Sequence, residues 1–160
     1  PRFVLFPQHL NISTSMKQVI KRKSFQFSTN TAFEAVIHHC KSIDRLDQDG
    51  TWITTEVEKA YIQLHQLGIA HSAECWENGV LVGGLYGIKM GKVFFGESMF
   101  SLTTNASKFA FIQFVQQLMA EDIQLIDCQV YTKHLESLGA KMIPRIQFLD
   151  LLKLCGVHPL

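Results

Sequence analysis

Three polar residues interrupt the apolar stretch Leu81–Val130 of this 160-residue chain: Glu97, Asp127 and Gln129. Glu97 follows Phe94, Phe95 and Gly96, and Asp127 and Gln129 break the run Leu125-Ile126-Asp127-Cys128-Gln129-Val130. Desolvating a carboxylate is costly unless it is paired or used, so carboxylates in such surroundings point to a site. Side chains alternate along a strand, which puts Asp127 and Gln129 on one face with Leu125. A carboxylate and an amide there can jointly hold a cation or an amine. The same pair also fits a plainer reading, buried polar groups satisfying neighbouring backbone. Glu97 has the same plainer reading, a capped or paired core carboxylate.

Other chemistries find less support. His38, His39 and Cys40 are adjacent on a helix pattern, where side chains diverge, so one ion does not collect all three. No second ligand pair follows at zinc spacing, and no metal site is expected. No Ser-His-Asp or Cys-His set is legible, nor is a phosphate-binding or dinucleotide-binding loop. Lys17, Lys21, Arg22 and Lys23 form the densest basic cluster. They fit a solvated helix end, where the macrodipole favours cations, or a phosphate-contacting patch. Trp52, just before a helix, suits a core plug or a stacking platform.

The elements that must position these residues are mixed. Phe3–Phe6 predicts a strand, and residues 13–23 a short helix capped by Ser13, Thr14 or Ser15. Ser24–Phe27 alternates as a half-buried strand. Thr31-Ala32-Phe33-Glu34 and Thr55-Glu56-Val57-Glu58 are capping boxes for two helices, the second stopped by Gly68. Asp47–Gly50 predicts a turn between them. Strands over His71–Trp76 and Val80–Met90 meet at Glu77-Asn78-Gly79, a hairpin signal, and Lys92–Glu97 adds a third. Gly83, Gly84 and Gly87 imply close approach of another backbone or of a ligand.

A helix capped by Asn105 is apolar on more than one face and so must be sandwiched. Ile123–Val130 is a strand, a short helix ends at Gly139, and Lys141–Phe148 predicts an edge strand running through Pro144. Strands and helices in this order predict an α/β or α+β fold around a largely antiparallel sheet, in one domain over residues 1–160. Apolar residues make up 47% and charged residues 18%, a globular composition with net charge +1 that leaves any nucleic-acid contact to a local patch. Cys40, Cys75, Cys128 and Cys155 are dispersed, as reduced thiols of a cytoplasmic protein would be. No run reaches the roughly 18 apolar residues of a membrane span. No signal peptide is visible, though the chain begins at Pro1 without a methionine.

The run TWITTEVEKAYIQLHQLGIAHSAECW (Thr51–Trp76), then LVGGLYG, FFGESMFS, NASK, LIDCQV, HLESLGA and IPR in that order, closely resembles the leucyl/phenylalanyl-tRNA–protein transferases. The resemblance runs from about Pro1 to Leu152. It implies a cytoplasmic bacterial aminoacyltransferase that moves Leu or Phe, less readily Met, from aminoacyl-tRNA to the N-terminal Arg or Lys of acceptor proteins. The product is thereby marked for N-end-rule degradation. It also implies the fold of the Gcn5-related N-acetyltransferases, a mixed, largely antiparallel sheet flanked by helices. The pyrophosphate loop of those enzymes, Gln/Arg-x-x-Gly-x-Gly/Ala, is absent before the Asn105 helix, which reads SLTTNASK; this implies a different acyl donor.

Carried over, Trp52 stacks on the terminal adenine of the tRNA. Phe94, Gly96, Met99, Phe111, Phe114, Leu118 and Ile126 line the pocket for the Leu or Phe side chain. Glu97 positions the aminoacyl amine or polarises the adenosine hydroxyl. Asp127 attracts the acceptor's cationic end while Gln129 directs its amine, or the two form a proton relay. Lys17, Lys21, Arg22 and Lys23 contact tRNA phosphates. The glycines of LVGGLYG leave room for the substrate. No cofactor and no membrane is implied, and a monomer is expected. The family's small N-terminal module, ending near a Pro-Arg like Pro1-Arg2, is expected to be absent here, with a second aromatic near the adenine. Two other readings stay open: a truncated module that binds tRNA or peptide without catalysis, and a divergent acyltransferase.

Overall fold

Strands buried residue after residue need two covered faces, and here helices supply both. The computed structural model describes residues 1–43 and 53–158. Strands β1 (Arg2–Leu5), β2 (Gln26–Thr29), β3 (Ala70–Glu77), β4 (Val80–Met90), β5 (Val93–Ser101), β6 (Leu125–Gln129) and β7 (Lys141–Ile143) form one sheet of order β2-β3-β4-β5-β6-β1-β7. Among the described residues only β5 and β6 run parallel. A parallel pair needs a crossover, and α4 (Ala106–Ala120) provides it. The other helices are α1 (Thr14–Arg22), α2 (Phe33–Ser42), α3 (Thr55–Gln66), α5 (Lys133–Ser137) and α6 (Arg145–Leu154). The fold is α+β, as the sequence predicts.

Alternation sorts the core. Phe3, Leu5, Leu85, Phe94 and Ile126 turn towards α4, whose Phe109, Phe111, Ile112, Phe114, Val115 and Leu118 are all buried, while Met16 anchors α1 on the same side. On the other face, Tyr86 and Phe100 pack with α2 and α3, and Val4, Val93 and Leu125 pack with Phe148 and Leu152 of α6. His39 and Cys40 belong to this second packing: the His39 ring stacks on Phe100 at 4.7 Å, and Cys40 is buried. The four cysteines are free thiols. Among the described residues no helix is long and apolar enough to cross a membrane.

Local signals fare unevenly. Ser13 caps α1 by accepting from Met16 N at 3.2 Å. Asn78 (φ 52°) and Gly79 (φ 77°) make the left-handed turn that matches strand twist. The cap of α3 is Thr54, not Thr55, accepting from Val57 N at 3.2 Å. Thr31 caps nothing: its hydroxyl turns back to Thr29 O at 3.2 Å, and Ala32 takes the cap position. Asn105 sits at the start of α4 with φ 70° and no side-chain cap bond; the Ser107 amide instead donates to Ser101 Oγ at 3.2 Å.

The expected edge strand through Pro144 is shorter. β7 ends at Ile143 and Pro144 becomes the cap of α6, because proline's fixed φ suits a helix start while its missing N–H cannot serve a ladder. The glycines leave room for protein, not substrate. A Cβ on Gly83 would lie 2.7 Å from Ala106 Cβ, and one on Gly87 would lie 2.1 Å from Phe95 O. The turn at Asp47–Gly50 and Trp52 lie outside the described residues.

Candidate functional site

The site begins where a strand pair ends. β5 and β6 stay in register only over Val93–Leu125, Phe94–Ile126 and Phe95–Asp127. Beyond that β5 follows β4 as far as Ser101, while β6 keeps to β1 through Gln129. The sheet therefore splays, and a cavity of about 400 Å³ opens in the gap. Leu85, Phe94, Met99, Phe111 and Ile126 form its apolar wall; Glu97, Gln129, Thr132 and His134 are among its polar lining. β6 and the residue after it contribute every residue from Ile126 to Val130, so strict alternation fails at the strand's end. The cause is Gln129, whose φ of 68° turns the backbone left-handed.

Of the residues expected to line an apolar pocket, Phe94, Gly96, Met99, Phe111 and Ile126 do so. Phe114 and Leu118 do not. They are fully buried behind the wall, with the Phe114 ring edge-on to Phe94 at 4.9 Å. At about 1.5 Å rise per residue, Leu118 lies roughly 10 Å further down α4 than Phe111, so only the first turns of the helix reach the opening.

Asp127 is fully buried. Its Oδ1 accepts from Gln129 N at 2.9 Å, and its Oδ2 pairs with Arg2 Nη2. The Arg2 guanidinium in turn lies over the Phe148 ring, 5.1 Å from its centre. The carboxylate expected to attract an acceptor's cation thus already holds one from its own chain. Gln129 Nε2 donates to Gly96 O at 2.8 Å, bridging the splayed strands.

Glu97 accepts hydrogen bonds from the Tyr61 hydroxyl and from the Gln129 side chain. Burial pushes its carboxyl above the usual range; those two bonds oppose the rise, nearby Asp127 adds to it and Arg2 subtracts from it. Tyr61 is pushed up as well, by burial and then by the Glu97 charge, so its hydroxyl stays a proton donor. The Cys128 thiol is pushed up to about 12 by burial and by Asp127, which keeps it from acting as a thiolate. Burial and then Lys108 lower His134, so its ring faces the cavity neutral at pH 7.

Arg2 and Tyr61 are the members that sequence reading misses. Tyr61 carries a helical-spacing signal that reads as core. Arg2 carries none, because its partner is 125 residues away. Lys17 in the first turn of α1, Lys21 and Arg22 in its last turn and Lys23 at its C-cap are exposed and do not line the cavity. The start of α4 is closed by its own chain, with Ser101 on the Ser107 amide and Gly83 against Ala106. The helix-start amides that hold a pyrophosphate in acetyltransferases are thus partly taken up within the fold.

Comparison with known proteins bears on this geometry. The sequence model of the family described as "Leucyl/phenylalanyl-tRNA protein transferase" matches residues 4–153. The leucyl/phenylalanyl-tRNA–protein transferase of Christiangramia forsetii is 56% identical over 154 residues, covering 95% of this chain and 73% of that protein. The one from Syntrophus aciditrophicus is 52% identical over 153 residues, covering 96% of this chain but only 64% of that protein. In fold, the chain is similar to a GCN5-related N-acetyltransferase from Kribbella flavida, with a TM-score of 0.54 at 11% identity, over 88% of this chain and 53% of that one.

Proposed function

Because the chain belongs to the leucyl/phenylalanyl-tRNA protein transferase family, a family of aminoacyltransferases, we propose that the β5–β6 cavity is where an aminoacyl group changes hands. Leucine or phenylalanine, and less readily methionine, arrives as an ester of tRNA. It leaves as an amide on the N-terminal Arg or Lys of an acceptor protein, which marks that protein for N-end-rule degradation. The observation that carries this reading is the apolar wall of Leu85, Phe94, Met99, Phe111 and Ile126 ending at Glu97 and Gln129. An apolar cavity of this size accepts Leu or Phe, its flexible Met99 adapts to either, and β-branched side chains are disfavoured by shape.

The chemistry is aminolysis. The acceptor's α-amine, with an ordinary pKa of about 7.7–8.0, is partly neutral at pH 7. Its nitrogen attacks the ester carbonyl carbon, the tetrahedral intermediate expels the adenosine oxygen, and the proton lost by the amine balances the one that oxygen gains. The ester is already activated, so orientation supplies much of the acceleration. Glu97 is the carboxylate of the cavity that is not fully buried, and it holds the ammonium of the aminoacyl group. Gln129, fixed on Gly96 O, directs the incoming amine through its amide oxygen. Asp127 acts on the reaction through Gln129, since full burial keeps it from the attacking amine. The terminal adenine stacks on Trp52, and the tRNA phosphates meet Lys17, Lys21, Arg22 and Lys23. Phe114 and Leu118 shape the pocket from behind.

The test is transfer of labelled Phe from Phe-tRNA to a protein beginning with Arg. The expected result is transfer that Glu97→Gln lowers by about 10²-fold in kcat/KM, a loss on the scale of a hydrogen-bonded charge. No transfer, either by this chain or by the chain joined to the N-terminal residues of a curated relative, would overturn the reading.

A further inference from the structure

Arg2 has no part in the reaction as described so far, yet its pair with Asp127 is built into the sheet. β1 lies between β6 and β7: its first residue, Arg2, pairs with Ile143 of β7, and the next, Phe3, pairs with Gln129 of β6. Its guanidinium lies on the Phe148 ring and meets Asp127 Oδ2, while Oδ1 takes the Gln129 amide. Gln129 in turn has a left-handed backbone, with φ 68°, and its Nε2 donates to Gly96 O. A non-glycine residue in that conformation persists only where its surroundings over-determine it.

We propose that Arg2 is a positioning residue of the transfer reaction: it fixes Asp127, and through Asp127 the backbone and side-chain direction of Gln129. This rests on the reading that transfer takes place in the β5–β6 cavity. Two consequences separate it from a purely structural ion pair. Asp127 does not read the acceptor's cationic side chain, because Arg2 holds that place permanently. The positive charge of Arg2 also acts on Glu97, whose other neighbours are Tyr61 from α3 and Asp127 and Gln129 from β6.

The variant Arg2→Gln keeps an N–H donor for Asp127 but removes the charge, and Arg2→Lys keeps the charge but loses the planar fork. For Arg2→Gln, kcat is expected to fall about tenfold or more, with the KM for an Arg-initiated acceptor within about twofold of the unaltered chain. The acidic limb of the kcat–pH profile and the Glu97 carboxyl resonance, followed by carbon NMR, are expected to move to higher pH. Arg2→Lys is expected to restore the pH profile but only part of kcat. If Arg2→Gln does not fold, Arg2→Gln/Asp127→Asn removes both charges of the pair and is expected to show the same fall in kcat at unchanged acceptor KM.

A lower acceptor KM in Arg2→Gln would mean that the freed Asp127 captures the acceptor's guanidinium, and would overturn the inference. So would unchanged kcat and an unmoved acidic limb in a folded variant. Failure of the unaltered chain to transfer would instead remove the reading beneath it.

Discussion

At the scale of single residues, Glu97 sets function against stability. Its folded-state pKa is raised, chiefly by burial, so between the unfolded value near 4.5 and the folded value the native state holds more protons than the unfolded one. Stability contributed by this group is therefore lost as pH rises through that window and does not return at neutral pH. Glu97→Gln keeps an oxygen to accept from Tyr61 while removing the buried charge. It is expected to raise Tm by about 1–3 °C at pH 7 and to make no difference below pH 4, where the glutamate is itself protonated. The same variant is expected to lose transfer, a trade familiar for charges placed to meet a ligand. Melting curves at the two pH values decide it. A lower Tm at pH 7 would show that the Tyr61 and Gln129 bonds outweigh desolvation.

Among the elements, α4 gives the cavity its Phe111 wall, and its closeness to the sheet depends on glycine. At Gly83 an added Cβ would lie 2.7 Å from Ala106 Cβ and 2.8 Å from its carbonyl carbon, distances that no side-chain rotation relieves. Gly83→Ala is expected to push the start of α4 outward and cost about 1–3 kcal/mol, visible as a lower Tm. Phe111, on the same helix, is a cavity wall, so the KM for Phe-tRNA is expected to rise while the acceptor KM stays level. Equal effects on both would argue that the helix moves as a block without reshaping the pocket. The sequence shows that something approaches these glycines but not what, because a missing side chain marks space without naming its occupant. Asn78-Gly79 is different: the turn is set by two residues' own backbone preferences, so it is legible locally. Pro144 falls between, since a proline stops a strand and starts a helix equally well, and only the packing of Phe148 and Leu152 shows that a helix follows.

For the molecule as a whole, what could be read from sequence declines with the distance between partners. The hairpin of β3 and β4 and the apolar breadth of α4 are properties of single stretches of chain, and both are legible. Arg2 with Asp127, and Tyr61 with Glu97, join residues far apart in the chain, and no local pattern encodes either pair. The splay of β5 from β6, which makes the cavity, is likewise a consequence of β6 leaving for β1. The basic end of α1 presents the same problem one scale higher. Its charges can be read from the sequence, but whether they serve the cavity depends on how α1 is mounted. Met16 sets α1 into the core that also holds Phe94, Phe111 and Ile126, so α1 and the cavity wall share one hydrophobic core. Under the proposed function, a tRNA whose 3′ end enters the cavity lays its phosphates on Lys17, Lys21, Arg22 and Lys23. Removing two of these charges, as in Lys21→Ala/Arg22→Ala, is expected to reduce the slope of log K against log salt for tRNA binding by about 1.5–2. The KM for Phe-tRNA should rise at fixed salt, with kcat and the acceptor KM unchanged, since neither residue lines the cavity. An unaltered salt slope would leave α1 a solvated helix end and move the phosphate contacts to another face.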